Sequence, residues 1–254
     1  MHVVVAGPDE LARAGADALE GALLARRDPV LGLATGSSPV PVYDELVRRH
    51  REDGLSFAGA RAFLLDEYVG LPAEHPERYR NVIDRELVSH VDLDPARVHA
   101  PDGLARDLDA AAARYEQQIT AAGGVDVQIL GIGTDGHIAF NEPGSPFDSR
   151  TRVEELTEQT RRDNARFFGG DVEAVPRRCL TQGLATIMSA RRIVLLARGR
   201  AKAEAVRHMV EGPVSTAWPA TVLQGHPDVT VLLDEEAASL LRRGDVVPLE
   251  TAGR

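Results

Sequence analysis

The sequence predicts an α/β fold: a single three-layer α/β/α domain over 1–254, built around a mostly parallel, Rossmann-like central sheet. Three observations predict it. Short apolar runs alternate with segments of helical periodicity along the chain. The apolar runs are continuous, as in strands buried on both faces. And 254 residues, 43% of them hydrophobic, suffice for one large core.

The elements follow in order. HVVVAG (2–7) is a buried strand, and 8–27 is a helix with alanine and leucine periodicity. VLGLA (30–34) is a second strand; 39–52 is a helix opening at Pro39, with Val42, Leu46 and Val47 at helical spacing. ARAFLLDEY (60–68) reads as one strand, 76–88 as a helix, RVHAP (97–101) as a weak strand, and 104–122 as a helix. VDVQILGIG (125–133), RRIVLLARG (191–199) and DVTVLLD (228–234) are further strands, with a helix over 201–211. The segment 143–180 is charged, glycine-containing and interrupted by prolines. It is expected to be the least regular part, an excursion or lid around an otherwise regular domain.

Composition excludes several function classes. The net charge of −10 opposes a nucleic-acid partner, which needs clustered positive charge. No apolar run approaches the roughly 20 residues of a membrane span, and the first 15 residues lack the basic start of a signal peptide. The one cysteine, Cys179, rules out an internal disulfide framework or a cysteine-rich metal site. A cytoplasmic protein is expected. An anionic ligand would have to be held by local cations against the overall field. Lysine and arginine total 29, yet Lys202 is the sole lysine. Lysine is a compact point charge where arginine is a fixed fork.

Ligands of open parallel sheets bind beyond the carboxyl ends of the strands, and four strand ends here are chemically rich. After the second strand, Thr35-Gly36-Ser37-Ser38 precedes a helix; exposed backbone N–H groups and hydroxyls suit a phosphate, though ordinary helix capping by Ser37 or Ser38 is the plain alternative. After the third, LLDEYVG places Asp66 and Glu67 where neighbours face opposite ways. After the fourth comes GIGTDGHIAFNEPGS (131–145). Its G-x-G-x-x-G suggests a dinucleotide turn, but Asp135 sits inside the would-be anion cradle. Pro143 and Pro146 also stop the long helix that such a turn requires. What it offers instead is Asp135, His137 and Glu142, a histidine fixed between carboxylates and suited to proton transfer. The other histidines read as structural. After the fifth strand, Lys202 stands at a helix start, where a cation is disfavoured unless it faces an anion.

These motifs carry a resemblance. LATGSSPVPVYDEL, DEYVGL, EHPERY, GIGTDGHIAFNEPGS, GRAKAEAV and HPDVTVLLDE run nearly the length of the chain, and on them the chain resembles the glucosamine-6-phosphate deaminase (isomerase) family. The resemblance implies conversion of D-glucosamine 6-phosphate and water to D-fructose 6-phosphate and ammonia. It implies Asp66 as the base at C2, and His137, supported by Asp135 and Glu142, as the ring-opening group. Gly36, Ser37, Ser38, Arg166 and Lys202 would hold the phosphate. No cofactor and no metal is implied. The related 6-phosphogluconolactonases share the Gly-Asp-Gly-His core but lack IAFNEP and DEYVGL, which makes a lactonase, or a deaminase of another amino-sugar phosphate, the nearest alternative. A non-catalytic sugar-phosphate sensor is a remoter one.

One departure bears on regulation. Hexameric members activated by N-acetylglucosamine 6-phosphate carry Arg-x-Lys-Thr after this loop and a tyrosine in the tail. Here Arg152 is followed by Val153, Glu154 and Glu155, and VVPLETAGR (246–254) has no tyrosine. Carboxylates in a phosphate site repel the effector, so this activation is expected to be absent. A monomer and a homo-oligomer both remain open.

Overall fold

A computed structural model describes residues 1–242 and 247–248. The first helix shows how sequence becomes layer. After β1 (His2–Val5), α1 (Pro8–Ala25) begins with proline in its first turn, and the Glu10 carboxylate accepts the Gly7 N–H at 3.0 Å. Its buried residues Leu11, Gly15, Leu19 and Ala22 recur every three or four positions and form one buried stripe, in which Gly15 lets Val42 of the next helix approach closely. β2 (Val30–Leu33) is buried throughout, and α2 (Val40–Arg48) buries Val42, Tyr43, Leu46 and Val47. Pro39 stands at the helix cap position, one residue outside the expected start.

The predicted strand 60–68 is two strands. β3 (Arg61–Leu64) joins the main sheet, whereas β4 (Asp66–Tyr68) leaves it and pairs antiparallel with β8. Continuous apolar sequence hides this break, because Leu65, which lies at it, is buried like Leu64 before it. α3 (Tyr79–Glu86), β5 (Val98–His99), α4 (Leu108–Ala121) and β6 (Val127–Leu130) follow, each shorter than expected.

The segment 143–180 is more regular than its composition suggested. It holds β7 (Arg152–Glu155), α5 (Glu158–Asn164) and most of β8 (Arg178–Thr181). β4, β8 and β7 form a three-stranded antiparallel sheet apart from the main one. RVEE is partly exposed, so it lacks the apolar run that marks the core strands. α6 (Leu184–Ile187), β9 (Arg192–Ala197), α7 (Ala203–Glu211), β10 (Val229–Leu233) and β11 (Val247–Pro248) complete the described chain. Apart from Val247–Pro248, the tyrosine-free tail lies outside the described residues.

The main sheet is parallel, in the order β11-β1-β10-β9-β6-β2-β3-β5. Its centre is dry: Leu31, Ile129, Leu195 and Val231 are at most 1% exposed. Each such side chain contributes roughly 1.5–3 kcal/mol by burial. At the amino edge, Asp126 accepts the Val30 N–H at 2.8 Å and meets Arg191 at 2.9 Å, joining β2 to the approach to β9. The opposite edge is left for chemistry. No helix among the described residues is long and apolar enough to cross a membrane.

Candidate active site

A cavity of about 430 Å³ opens where the winding of the main sheet reverses. From β2 the chain builds outward through β3 and β5, then β6 returns to the other flank of β2 and is followed by β9 and β10. Parallel sheets form their ligand crevices at such points. Of the residues singled out from sequence, Gly36, Ser37, Ser38, Asp66, His137, Arg166 and Lys202 line this cavity. Asp135 and Glu142 stand behind His137 and do not line it.

The turn after β2 carries the anion-binding features. Gly36 has φ 100°, a backbone other residues rarely adopt, and the cap residue of α2, Pro39, makes no side-chain capping bond. Lys202 ends a short 3-10 turn (Arg200–Lys202) and caps α7. Burial pulls its ammonium below the ordinary lysine range and Arg166 adds to the fall, with Asp163 and Asp135 opposing it. An anion bound here would relieve that strain. Arg166 reaches the cavity from the turn after α5. An adjoining hollow of about 530 Å³ shares Ser37, Ser38, Arg166 and Lys202 and adds Arg198 and Asp234. Neither Arg198 nor Asp234 carries a local signal that would single it out.

Asp66 sits where the chain crosses from one sheet to the other. It is 7% exposed, and burial, followed by the neighbouring Glu67 charge, pushes its carboxyl well above the ordinary range. Glu67 points away, as strand alternation requires, and is fully buried. Its carboxylate accepts the N–H groups of Tyr68, Tyr79 and Arg80 at 2.9–3.0 Å. It thereby ties β4 to the first turn of α3, where a helix favours negative charge. Tyr79, so placed, lines the cavity and donates its hydroxyl to Tyr68 at 3.2 Å.

The loop after β6 does not enter a helix, so the G-x-G-x-x-G match has no dinucleotide geometry behind it. Its glycines serve the histidine. A Cβ on Gly133 would lie 2.3 Å from the His137 ring, and Gly136 has φ 83°. Ala139, at φ 50°, is the one non-glycine with positive φ among the described residues. His137 Nδ1 lies 2.7 Å from Asp135 Oδ1 and 3.8 Å from Glu142 Oε2, aimed between them without in-line hydrogen-bond geometry to either. Burial pushes the Asp135 carboxyl up, but contact with the His137 ring and its charge outweigh this and hold it at about 2. Burial pushes Glu142 upward, against the pull of His137. Glu142 Oε1 accepts the Thr157 N–H at 3.2 Å, which joins the loop to the start of α5. Asn141 is a buried hub: its amide donates to Ile138 and Gln182 carbonyls and its oxygen accepts from Arg152.

Two carboxylates and an imidazole within 4.8 Å of one another are also a donor set of metal-binding type. The downstream Arg152 is turned to protein partners. It donates to Asn141 and Ser145 at 2.9 Å and pairs with Glu154 at 2.5 Å.

The comparisons with known proteins place the chain as a whole in a family. The model of the family described as Glucosamine-6-phosphate isomerases/6-phosphogluconolactonase matches residues 6–232. A glucosamine-6-phosphate deaminase of Beutenbergia cavernae is 66% identical, over 96% of this chain and 93% of its own. The solved structure of a monomeric glucosamine-6-phosphate deaminase superposes with a TM-score of 0.92 at 45% identity, over 94% of this chain and all of the other. A 6-phosphogluconolactonase of Trypanosoma brucei superposes with a TM-score of 0.72 at 25% identity, over 95% and 98% of the two chains.

Proposed function

This chain belongs to the glucosamine-6-phosphate isomerase/6-phosphogluconolactonase family, and we propose that within it the protein is a deaminase, converting D-glucosamine 6-phosphate and water to D-fructose 6-phosphate and ammonia. The phosphate occupies the Gly36–Ser38 turn with Arg166 and Lys202, which fixes the sugar at a distance from the reacting carbons. His137, oriented by Asp135 and Glu142, moves the proton that opens the ring. Asp66 then removes the C2 proton of the open aldose. Return of a proton to C1 of the resulting enolamine leaves an iminium at C2. Water adds there and ammonia leaves. The raised affinity of the Asp66 carboxyl for a proton brings it closer to the weak carbon acid it must deprotonate. The segment 143–180, which brings Arg166 and Phe167 to the cavity, acts as the lid that excludes water.

The observation that carries this reading is Asp66. A lactonase has no carbon acid to deprotonate, so it has no use for a buried carboxylate facing the same cavity as the histidine and the phosphate turn. The much higher identity to deaminases than to the lactonase supports the same choice. The experiment is ammonia release from glucosamine 6-phosphate, with galactosamine 6-phosphate as comparison substrate and 6-phosphogluconolactone hydrolysis run beside it. Lactone hydrolysis without ammonia release would sink the proposal.

Activation by N-acetylglucosamine 6-phosphate is absent on this reading, because Arg152 is engaged by Glu154 and a second acid, Glu155, follows. Hyperbolic kinetics unchanged by the effector are expected. Sigmoidal kinetics that the effector relieves would contradict this.

A further inference from the structure

Trp218, the single tryptophan, does not line the cavity. It nevertheless touches the loop that carries His137. A Cβ on Gly136 would sit 2.7 Å from Trp218 Cε3, so the ring and the loop backbone meet with no room for a side chain between them. The same ring stacks on His208 of α7, with centroids 3.9 Å apart and planes 9° apart. Backbone bonds repeat the attachment. The Ala220 N–H donates to the Gly136 carbonyl at 2.9 Å, and the Gly144 N–H donates to the Thr216 carbonyl at 2.7 Å. The segment that provides these contacts is itself closed. The buried Thr221 hydroxyl accepts the Ser215 N–H at 2.9 Å and lies 2.7 Å from the Trp218 carbonyl.

These contacts act beside the turn that the loop makes itself, in which the Gly133 N–H donates to the His137 carbonyl at 2.9 Å and the Gly136 N–H to the Gly133 carbonyl at 3.1 Å. Between β6 and β7 it makes one isolated bridge, Ile138 to Asn141. Gly136 stands between Asp135 and His137, and the His137 N–H donates to Asp135 Oδ1 at 3.2 Å. A shift of Gly136 therefore turns both side chains together. α7 supplies the other side of the stack and begins directly after Lys202.

We propose that Trp218, held by His208 against Gly136, is a positioning residue that fixes the Asp135–His137 pair in its ring-opening geometry. The proposal rests on the reading of His137 as the ring-opening group and names what orients it. Trp218 touches no substrate; it acts through the backbone of Gly136. A small misplacement of an acid–base group can cost about 10²-fold in rate, and the cost should fall on one step only.

The test is steady-state ammonia release by Trp218→Ala, Trp218→Phe and His208→Ala, with ordinary and C2-deuterated glucosamine 6-phosphate, beside His137→Gln. In W218A, kcat should fall by about 10–100-fold while KM moves by less than about threefold. Its deuterium isotope effect should fall toward unity, because ring opening and not C2 proton removal then limits the rate. W218F keeps an aromatic plate and should recover most of the loss; H208A should show a smaller change of the same kind. If W218A does not fold, W218F and H208A decide by the same isotope readout. Parental isotope effects in these variants, with loss only of melting temperature, would make Trp218 structural and overturn the proposal. Parental turnover by H137Q would instead sink the ring-opening reading beneath it.

Discussion

Asp66, which lines the cavity, and Asp135, which stands behind His137, are the same residue type, and their surroundings drive them in opposite directions. Asp66 lies at the β3–β4 junction, where burial and the adjacent Glu67 keep its carboxyl well above the ordinary range. Asp135 lies on a glycine-bearing loop, where contact with His137 outweighs burial and holds it at about 2. On the proposed function the first takes a proton from carbon, and the second stays ionised and orients a neighbour. Role is set by environment: a junction between two sheets makes a dry site, whereas a loop can bring an imidazole to a carboxylate.

The comparison breaks most visibly at Asp66. Asp66→Asn should lower kcat for ammonia release by about 10³-fold or more, while phosphosugar binding measured by calorimetry stays near the parental value. The same change should raise thermal stability at neutral pH. A carboxyl whose folded pKa is raised binds its proton more tightly when folded, so its ionisation costs stability as pH rises from the unfolded value through the folded one. The amide removes that cost, and each 1 kcal/mol gained shifts Tm by roughly 2–4 °C in a chain of this size. The gain should vanish below about pH 4, where both forms are neutral.

On the loop side, Asp135→Asn should lower kcat by about 10²-fold, with little change in KM, and should not stabilise the fold. A stability gain like that of Asp66→Asn would erase the distinction drawn between the two carboxylates. Lys202→Ala should raise KM by about 10-fold or more, the loss of one charge-assisted contact, and Lys202→Arg should restore it incompletely. An unchanged KM in both would remove Lys202 from the phosphate site. The smallest effect sharpens the cause of the Asp66 shift. The acid limb of kcat/KM, rising as Asp66 ionises, should lie above the ordinary carboxylate range. Glu67→Gln should move it to lower pH by less than about one unit. No movement would leave burial as the whole cause.

Much of this was legible in sequence because it depends on local rules. The buried strands 30–33, 127–130 and 192–197 are continuous apolar runs, and a two-face-buried strand can hardly look otherwise. The absence of a long helix after Gly136 followed from Pro143 and Pro146. The opposed orientation of Asp66 and Glu67 followed from strand alternation. The β3–β4 break was not legible, since Phe63 and Leu64 of β3, Leu65 between the strands and Tyr68 of β4 are all buried although the two strands serve different sheets. Nor was the small antiparallel sheet, because β7 keeps one side near solvent and its charged residues match no core pattern.

The sequence by itself determined the layered α/β class, the four strand ends worth inspecting and the residue types placed there, because periodicity and turn chemistry act over a few residues. Only the tertiary structure decided that Asp66 is dry, that Glu67 is spent on the start of α3, that His137 lies over Gly133, and that Trp218, 82 positions away from Gly136, is pressed against the loop. Burial and long-range packing are properties of what surrounds a residue, and the chain supplies those surroundings from distant segments.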